Sequence, residues 1–449
     1  MKIVVIETPS LGDRSYLVHD GKVAVVIDPQ RDIDRILGAA ETAAVRITHV
    51  FETHIHNDYV TGGLALAQAT GAGYVVSGAD PVGFGRLSAG DGDTFKTGLL
   101  ELTAKATPGH TEHHLAYELA EPGRAPTAVF TGGSMLYGAV GRTDLVSKAL
   151  TGELTRAQYR SVRRLVGELD AGVEVYPTHG FGSFCSATRT AGDRATIGEE
   201  IARNIALTIG DEDEFCKVLV SGLTAYPRYY SHMGPANLAG PPAPNLSPAP
   251  LVEAGELRRR IDAGEWVVDL RPRRSFAASH VKGTISIELG DSFATYLGWT
   301  IPWGTPLTLL GDSAAEVACA QRELVRIGIE SPSGRATHSP YRLAPDAVSS
   351  YPVASFADLS KALGERRQIV VLDVRRPDEW EAGHVAGAVH VPFFEVESRA
   401  GEIPPGGLWV HCASGFRAAI ATSLLERAGR QVVHVDDDWD NAVGLGLSS

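Results

Sequence analysis

An internal repeat limits the folds that the second half of the chain can adopt. The stretch Val267–Ile287 (VVDLRPRRSFAASHVKGTISI) aligns with Val371–Val391 (VLDVRRPDEWEAGHVAGAVHV). In each copy an apolar run typical of a β-strand is followed by a polar helical patch and a second short strand, and a longer helical pattern comes later. Strands that alternate with helices predict a mostly parallel sheet covered on both faces. A repeat of domain length indicates a duplicated α/β domain and not a solenoid.

Two loop-rich stretches divide the sequence into three segments. Gly234–Leu251 is dense in proline, with glycine and asparagine, and Glu330–Pro352 is a second loop-rich stretch. We therefore predict an α/β multidomain protein with domains at residues 1–240, 250–345 and 352–449. The first segment alternates strand-like runs with loops and then turns helical, which indicates an α/β or sheet-sandwich domain.

Charge and cysteine content limit the environment and the partners. The 449 residues carry a net charge of −13 without a basic run, which argues against nucleic acid or a membrane surface as a partner. The start of the chain, MKIVVIETPSLGDRSYLV, is predicted to form a strand and a turn, not a signal peptide, and no apolar run is long enough to span a bilayer. The four cysteines are far apart, so we expect no disulfide framework and a cytoplasmic protein.

Five candidate metal ligands lie in three loops of the first segment, each after an apolar run predicted to be a strand. They are His54, His56 and Asp58 in THIHND, His110 in TPGHT and His179 in YPTHG. Loops held by a rigid sheet commonly carry metal and catalytic groups. Two histidines two residues apart can reach one ion, and a third from a separate loop closes a three-histidine face with an open position. The alternative is that these histidines are surface or capping residues.

The first segment resembles the metallo-β-lactamase superfamily and, within it, the persulfide dioxygenase branch, which is close to the glyoxalase II hydrolases. The shared motifs are THIHND, TPGHT, FTGGSMLYGAVGRTDL (Phe130–Leu145) and THGFGSFC (Thr178–Cys185). The resemblance implies an αββα sandwich and, in that branch, one iron(II) held by two histidines and one aspartate. The counterparts here are His54, His110 and Gly133, and the glycine has no side chain to offer.

A second departure from the family's pattern is Tyr59, which stands where the superfamily has a histidine. Tyr59 could be a weak oxygen ligand or could fill the vacated volume. A two-metal centre is not expected, because Gly133 replaces the bridging aspartate and only Asp58 and His179 of the second site are left.

We predict instead one metal ion on His54, His56 and His110. Three imidazoles suit zinc(II) better than an iron(II) that must activate dioxygen, although Asp58 could supply the missing carboxylate by moving inward. The ion is therefore expected to be iron(II) or zinc(II). The resemblance also places Cys185 near this pocket, where it could carry sulfur in a relay or pack as a small buried side chain.

The third segment contains a strand–loop–helix pattern around Cys412, in LWVHCASGFRAAIATSLLERAG (Leu408–Gly429). An apolar strand run ends at this cysteine, a short loop follows, and Arg417 opens an amphipathic helix. Successive backbone N–H groups of such a loop form a nest for an anion, and the helix N-terminus adds positive charge; both favour the nucleophilic thiolate. Arg417 can pin the loop or bind an anionic donor such as thiosulfate. The predicted persulfide loop comprises Ala413, Ser414, Gly415 and Phe416.

The C-x4-R spacing of Cys412 and Arg417 resembles the rhodanese sulfurtransferases, and Asp373–Pro392 also matches the rhodanese fold. The related phosphatases have a loop one residue longer. In the middle copy, Gly311 or Asp312 stands where the cysteine belongs. We therefore predict that the middle copy is rhodanese-like but inactive, a spacer or docking surface. Its Cys319 falls within a helix pattern and is predicted to be core.

The order of the three segments resembles the bacterial fusions of persulfide dioxygenase and sulfurtransferase. That resemblance implies oxidation of a persulfide to sulfite in the first domain and sulfane-sulfur transfer through Cys412 in the third. The expected partners are a low-molecular-weight thiol persulfide, thiosulfate or sulfite, and a homo-oligomer is left open. The alternatives are a mononuclear zinc thioester hydrolase of the glyoxalase II type and a metal-free protein that binds or senses persulfides.

Overall fold

The computed structural model describes residues 1–188, 190, 192–365 and 369–448. The chain divides into two compact units, Met1–Asn245 with Val325–Gly328 and Leu246–Leu324 with Ile329–Ser449. The second unit contains both copies of the repeat, so the division into three domains stays a prediction. Within the described ranges, none of the helices combines the length and the apolar character needed to traverse a lipid bilayer.

The first unit is a two-sheet structure. Its strands are β1 Lys2–Thr8, β2 Asp13–His19, β3 Val23–Ile27, β4 Arg46–Phe51, β5 Gly73–Ser77, β6 Leu87–Ala89, β7 Thr94–Thr97, β8 Leu100–Ala106, β9 Leu115–Ala120, β10 Ala128–Gly132, β11 Glu174–Pro177 and β12 Ala195–Thr196. Its helices are α1 Asp34–Thr42, α2 Gly63–Thr70, α3 Thr151–Glu168, α4 Ile197–Arg203, α5 Ile205–Thr208, α6 Glu212–Ser221 and α7 Tyr230–Ala239. Its described strands form two six-stranded sheets, in the orders β1-β2-β3-β4-β5-β6 and β12-β11-β10-β9-β8-β7.

The two sheets of the first unit pack face to face around an apolar core. Phe51 on β4, Tyr117 on β9 and Phe130 on β10 are buried there, and the ring centroids of Phe51 and Tyr117 are 5.0 Å apart. Buried residues of α1 and α2 pack with the first sheet, and those of α3 and α6 pack with the second. This arrangement confirms the predicted αββα sandwich. It covers β3 on both faces, which explains the uninterrupted apolar sequence of that strand.

The second unit is built from short strands and helices. Its strands are β13 Trp266–Asp269, β14 His280–Val281, β15 Ile285–Ser286, β16 Leu307–Leu310, β17 Gly334–Ala336, β18 Val348–Ser349, β19 Val353–Ala354, β20 Ile369–Asp373, β21 Val389–His390, β22 Gly407–His411 and β23 Val432–Val435. Its helices are α8 Ala254–Asp262, α9 Arg273–Ala278, α10 Phe293–Thr300, α11 Ala314–Arg326, α12 Pro340–Leu343, α13 Phe356–Gly364, α14 Pro377–Glu381, α15 Phe416–Arg427 and α16 Trp439–Gly444. The last two residues of α11 group with the first unit.

Each copy of the repeat forms its own parallel sheet. The described strands give the order β15-β13-β16-β17 in the first copy and β19-β23-β22-β20-β21 in the second. The same ion pair lies at the end of β13 in the first copy and at the end of β20 in the second. Arg271 Nη2 is 2.6 Å from Asp269 Oδ2, and Arg375 Nη2 is 2.6 Å from Asp373 Oδ2. The structure thus confirms the duplicated α/β domain.

The predicted loop at Gly234–Leu251 is wrong in its first part, because α7 runs through Pro235 to Ala239. Tertiary hydrogen bonds outweigh the local effect of the proline: the side-chain amide of Asn237 donates to the carbonyl oxygens of His56 at 2.8 Å and Tyr59 at 2.9 Å. The second predicted loop likewise contains the short elements β17, α12 and β18.

The prediction that Cys319 is core is also wrong. Cys319 lies on α11 as expected, but its side chain is exposed. The buried stripe of this helix runs through Val317 and Ala320 instead. An alanine-rich helix offers little contrast between its faces, so periodicity alone placed the cysteine on the wrong one.

Candidate metal centre and sulfur-transfer loop

Three strand ends bring four histidines together in the first unit. His54 and His56 follow β4, His110 follows β8, and His179 follows β11; all four side chains are buried. The Nε2 atoms of His54 and His179 are 3.2 Å apart. One ring nitrogen each from His54, His110 and His179 lies within 4.8 Å of the others. Three imidazole nitrogens in this arrangement can share one metal ion.

His56 packs against His54, with ring centroids 4.1 Å apart, and its Nε2 atom faces two buried carboxylates. Its Nε2 atom is 3.2 Å from Glu52 Oε2 and 3.3 Å from Asp28 Oδ1. Burial alone would lower the pKa of His56, but Asp28 and Glu52 outweigh burial and raise that pKa to about 9. A charged imidazole between two buried acids satisfies both. His56 can also join Asp58 and His179 in a second candidate ligand group. The site therefore offers more than one set of ligands, and the predicted set stays a prediction.

Tyr59 stacks on the ring of His56, with centroids 4.3 Å apart. Its hydroxyl lies 3.0 Å from His56 Nε2. Burial and the nearby acids, Asp28 first, raise the pKa of Tyr59 well above its ordinary value, so the phenol stays neutral. Of the two predicted roles, this environment favours the one in which Tyr59 fills space beside His56.

Hydrogen bonds to the outer ring nitrogens orient His54 and His110. The carbonyl oxygen of Arg142, which can only accept, is 2.7 Å from His110 Nδ1, so that nitrogen carries the proton. Thr53 Oγ1 donates to Asp28 Oδ2 at 2.7 Å and therefore accepts from His54 Nδ1 at 2.8 Å. Both rings are thereby assigned the tautomer with a bare Nε2. Among the described residues, buried His110 Nε2 has no hydrogen-bond partner, and a metal ion would satisfy it.

Two carboxylates hold His179. Its Nδ1 atom is 2.8 Å from Asp13 Oδ1 and 3.1 Å from Asp58 Oδ2. Burial would lower the pKa of His179, but Asp58 and Asp13 outweigh it and raise the pKa well above its ordinary value. Asp58 thus faces the outer nitrogen of His179. Cys185 lies beside Asp58 as expected, but burial and that carboxylate raise the pKa of its thiol, which disfavours a thiolate there.

The space beside Gly133 is taken by a histidine ring. A β-carbon added at this position would lie within 3.0 Å of three ring atoms of His110. The backbone N–H of Gly133 also donates to Nε2 of His114 at 3.1 Å. A carboxylate at position 133 therefore has no room unless His110 moves.

Sequence reasoning missed three buried residues of this region, Asp28, Glu52 and His114. Asp28 is bound by the backbone N–H of Thr53 at 2.7 Å and also accepts from the hydroxyl of Thr178. Its φ of 49° lies in the left-handed region, which is uncommon for a residue with a side chain. The available signal was an acidic residue directly after an apolar strand, in KVAVVID and THVFE.

In the second unit, β22 ends one residue before Cys412, and the loop to α15 turns at Gly415, whose φ is 84°. Three successive carbonyl oxygens of this loop accept hydrogen bonds from outside it. Ala413 accepts from the Trp439 N–H at 2.8 Å, Ser414 from Arg273 Nη2 at 3.3 Å, and Gly415 from His434 Nε2 at 2.9 Å. Because the N–H of a planar trans peptide points opposite to its carbonyl, these bonds turn the following N–H groups away from the donors. That is the backbone arrangement of an anion-binding nest.

Arg417, on the first turn of α15, is already paired. Its Nη1 and Nη2 atoms lie 2.5 and 2.7 Å from the two carboxylate oxygens of Glu379. Burial would raise the pKa of Glu379, but hydrogen bonds from Arg417 outweigh burial and hold that pKa below its ordinary value. These contacts join the first turn of α15 to α14, and both predicted roles of Arg417 stay predictions.

The middle copy contacts this loop although it has no cysteine of its own there. After β16 come Gly311 and Asp312, as predicted. From its α10, Tyr296 packs on Phe416 of the loop, with ring centroids 5.2 Å apart. Arg273 from α9 reaches the loop carbonyl of Ser414. Both copies therefore contribute to the surroundings of Cys412.

Comparison with known proteins finds relatives for the N-terminal half of the chain and for its C-terminal domain. A family model of the rhodanese-like domain matches residues 355–443. The mitochondrial persulfide dioxygenase ETHE1 of Homo sapiens is 28% identical over 237 residues, covering 51% of this chain and 81% of the relative. The putative sulfur carrier protein YrkF of Bacillus subtilis is 33% identical over 90 residues, covering 20% of this chain and 49% of the relative.

A solved structure extends the similarity to most of the chain. The metallo-β-lactamase from Staphylococcus aureus has a TM-score of 0.67 and 25% identity, and the match covers 75% of this chain and 99% of that one. This likeness confirms the fold predicted from the THIHND and TPGHT motifs. The chain joins a metallo-β-lactamase-fold N-terminal half, homologous to persulfide dioxygenases, to a C-terminal rhodanese domain.

Proposed function

We propose that this protein is an enzyme of sulfide and persulfide metabolism that carries sulfane sulfur on Cys412. The observation that carries the proposal is the loop after β22, in which the carbonyl groups of Ala413, Ser414 and Gly415 all bind outside donors. A loop with its carbonyls turned out and its N–H groups turned in stabilises a thiolate or a persulfide anion.

The transfer is written as two displacements at sulfur. The thiolate of Cys412 attacks the outer sulfur of a persulfide RS–SH; the Cys412 S–S bond forms, the RS–S bond breaks, and the thiolate RS⁻ leaves with the electron pair. Sulfite then attacks the outer sulfur of the Cys412 persulfide. That step forms thiosulfate, HS–SO₃⁻, and restores the Cys412 thiolate.

The ion pair of Arg417 with Glu379 supports a persulfide as the preferred donor. An arginine that is bound by both oxygens of one carboxylate has little charge left for a second, dianionic partner such as thiosulfate. Aromatic cover from Tyr296 suits a donor of low charge near Cys412. Thiosulfate is then mainly the product of the reaction with sulfite, and a persulfide is the compound that supplies sulfur to Cys412.

For the first domain we propose one metal ion held by Nε2 of His54, His110 and His179. The fit rests on the 3.2 Å spacing of two of these nitrogens and on the buried, unpartnered third one within the described chain. A bound iron(II) would supply the oxidation of persulfide sulfur to sulfite by dioxygen, with one water consumed and the thiol released. The chain's own part is to orient the rings: Arg142 and Thr53 fix two tautomers, and Asp13 fixes the third ring.

A mononuclear zinc thioester hydrolase is the second candidate for this domain. The observation in its favour is the ligand set, because three imidazoles without a carboxylate suit zinc(II) better than iron(II). Metal content per chain, followed by oxygen uptake with a persulfide and thiol release from a thioester, distinguishes the two. A metal-free protein after growth with both metals contradicts both.

The experiment for Cys412 is mass spectrometry after incubation with a persulfide. Wild-type protein is expected to gain the mass of one sulfur atom on the peptide that contains Cys412, and Cys412→Ser to gain none there. Cys319→Ser is the matched control, because Cys319 is an exposed thiol on the middle copy. Sulfur transfer that persists in Cys412→Ser contradicts the assignment.

A further inference from the structure

A cavity of about 350 Å³ lies beside the metal-binding loops of the first unit. Ile55 and Asn57, which alternate with the candidate ligands after β4, form part of its wall, and Thr111 follows His110 on another side. Since the same loops carry the candidate ligands and line the cavity, a molecule in the cavity lies against the residues that neighbour those ligands in sequence. A volume of this size suits a small molecule.

Most of the cavity wall is apolar. Pro81, Val146, Pro235 and Leu238 contribute to it, from four separate parts of the chain. Such a wall binds methylene groups and excludes water from polar contacts made inside it.

One polar group in this wall is buried and unsatisfied. Asp80 is only 9% exposed, and its Oδ2 atom has no hydrogen-bond partner among the described residues. Burial raises the pKa of Asp80 to about 6, while His113 and Arg86 oppose that rise. Arg86 is engaged elsewhere, because its Nη2 donates to the carbonyl oxygen of Gly78 at 2.9 Å. A buried carboxylate oxygen without a donor is costly, and a ligand with a donor at this point removes that cost.

A second acidic residue in the cavity wall also favours a ligand with a positive charge. Glu112, also in the wall, is a second acid and is exposed at the rim. Together with Asp80 it favours a cation and opposes a carboxylate or phosphate at this end. His113 also lines the wall and opposes a cation only when its imidazole is protonated.

We infer that the cavity holds the thiol carrier of the substrate and that Asp80 accepts a hydrogen bond from a protonated amine of that carrier. The inference rests on the proposed function and narrows its substrate class to persulfides of small aminothiols. Thiols with an anionic group at the same distance from sulfur, or with no charge there, are disfavoured.

The test compares three thiols of similar size that differ at the end remote from sulfur: cysteamine, 2-mercaptoethanol and 3-mercaptopropionate. Their dissociation constants are measured by isothermal titration calorimetry on full-length protein loaded with zinc, which has no redox chemistry. Cysteamine is expected to bind about tenfold more tightly than 2-mercaptoethanol, the effect of one hydrogen bond to a charged group. Equal affinities of these two for the wild-type protein overturn the inference without any variant.

Asp80→Asn, which keeps the shape of the side chain, is expected to reduce the preference for cysteamine to about twofold or less. Glu112→Gln is the matched control in the same wall, and its exposed, solvent-screened charge should change the preference by about twofold at most. A preference for cysteamine that survives in folded Asp80→Asn overturns the inference. If Asp80→Asn folds poorly, the same comparison is made with Asp80→Ala.

Failure of the inference and failure of the proposed function give different results. Amine preference in binding, with no oxidation of a persulfide, supports the inference and contradicts the dioxygenase proposal. Persulfide oxidation without any amine preference does the opposite.

Discussion

The carboxylate of Asp436 in the second copy of the repeat is bound by Arg273 of the first copy, with Arg273 Nε 2.7 Å from Asp436 Oδ1. Arg274 binds the other carboxylate oxygen. Burial would raise the pKa of Asp436, but the two arginines outweigh it and hold that pKa below its ordinary value, so the ion pair persists at neutral pH. Asp436 packs against Gly415, where an added β-carbon would collide with it. The first copy is thus more than a spacer, because its arginines contact the loop that carries Cys412 and the Asp436 carboxylate beside it.

The first prediction tests these contacts. Arg273→Gln removes the bond to the Ser414 carbonyl and should slow sulfur transfer from Cys412 about tenfold through kcat, since a bond from a charged donor is worth about 1.5–3 kcal/mol. Steady-state rates with a persulfide and sulfite measure it. Arg273→Lys should recover part of the rate.

Arg274→Gln is the control for that variant. Arg274 also binds Asp436, but 72% of its side chain is exposed, so its ion pair contributes little. Equal losses in the two variants, or a loss confined to KM with an unchanged pH profile, would mean that Arg273 has no specific effect on the loop.

The second prediction concerns the donor. Glu379→Gln leaves Arg417 with a free positive charge beside Cys412, and kcat/KM for thiosulfate should rise about tenfold relative to a persulfide. Asp378→Asn, an acid on the same helix that pairs with Arg376, is the control and should leave the ratio unchanged. If Glu379→Gln lowers use of both donors equally, the ion pair only stabilises the fold.

The third prediction distinguishes two candidate ligand sets, one that includes His179 and one that includes His56. Metal content per chain should fall to near zero in His179→Ala and in His110→Ala, because loss of one of three ligands empties such a site. His56→Gln should keep most of the metal. It should instead destabilise the protein by about 3 kcal/mol, because Asp28 and Glu52 lose the charge between them. Loss of metal in folded His56→Gln, with retention in His179→Ala, would show that the face predicted from sequence is the functional one.

The fourth prediction concerns Gly133. From the sequence, Gly133→Asp restores a carboxylate ligand and raises iron occupancy. The structure predicts the reverse, because the new side chain displaces His110: metal content and Tm should both fall. Gly133→Ala is the control, with the same collision and no carboxylate. Higher iron occupancy in the aspartate variant alone would mean that His110 yields and that the sequence-based expectation is correct.

The strand–loop–helix structure around Cys412 was well predicted because its signal is local. Strand, Cys412, Gly415 and helix follow one another within a few residues, so neighbouring backbone geometry determines the site. The duplicated domain was predicted for a similar reason, since the repeated Asp–Arg pattern is visible in the sequence itself.

The ligand set of the metal site is harder to predict from sequence, because it depends on contacts between distant residues. His56 follows the same strand as His54, and spacing alone makes them equivalent. They differ because Asp28, which follows β3, and Glu52 both contact His56. Helix α7 gives a second example: Asn237 makes hydrogen bonds to a loop far away in sequence, and these hold a helix where proline content predicted a linker.

Asp28 has one further consequence. It joins the ends of β3, β4 and β11 through Thr53, His56 and Thr178 without any ion. The ends of these three strands are therefore joined by protein groups that do not depend on the side chain at position 133. Loss of one metal ligand, such as His110, should leave this junction intact.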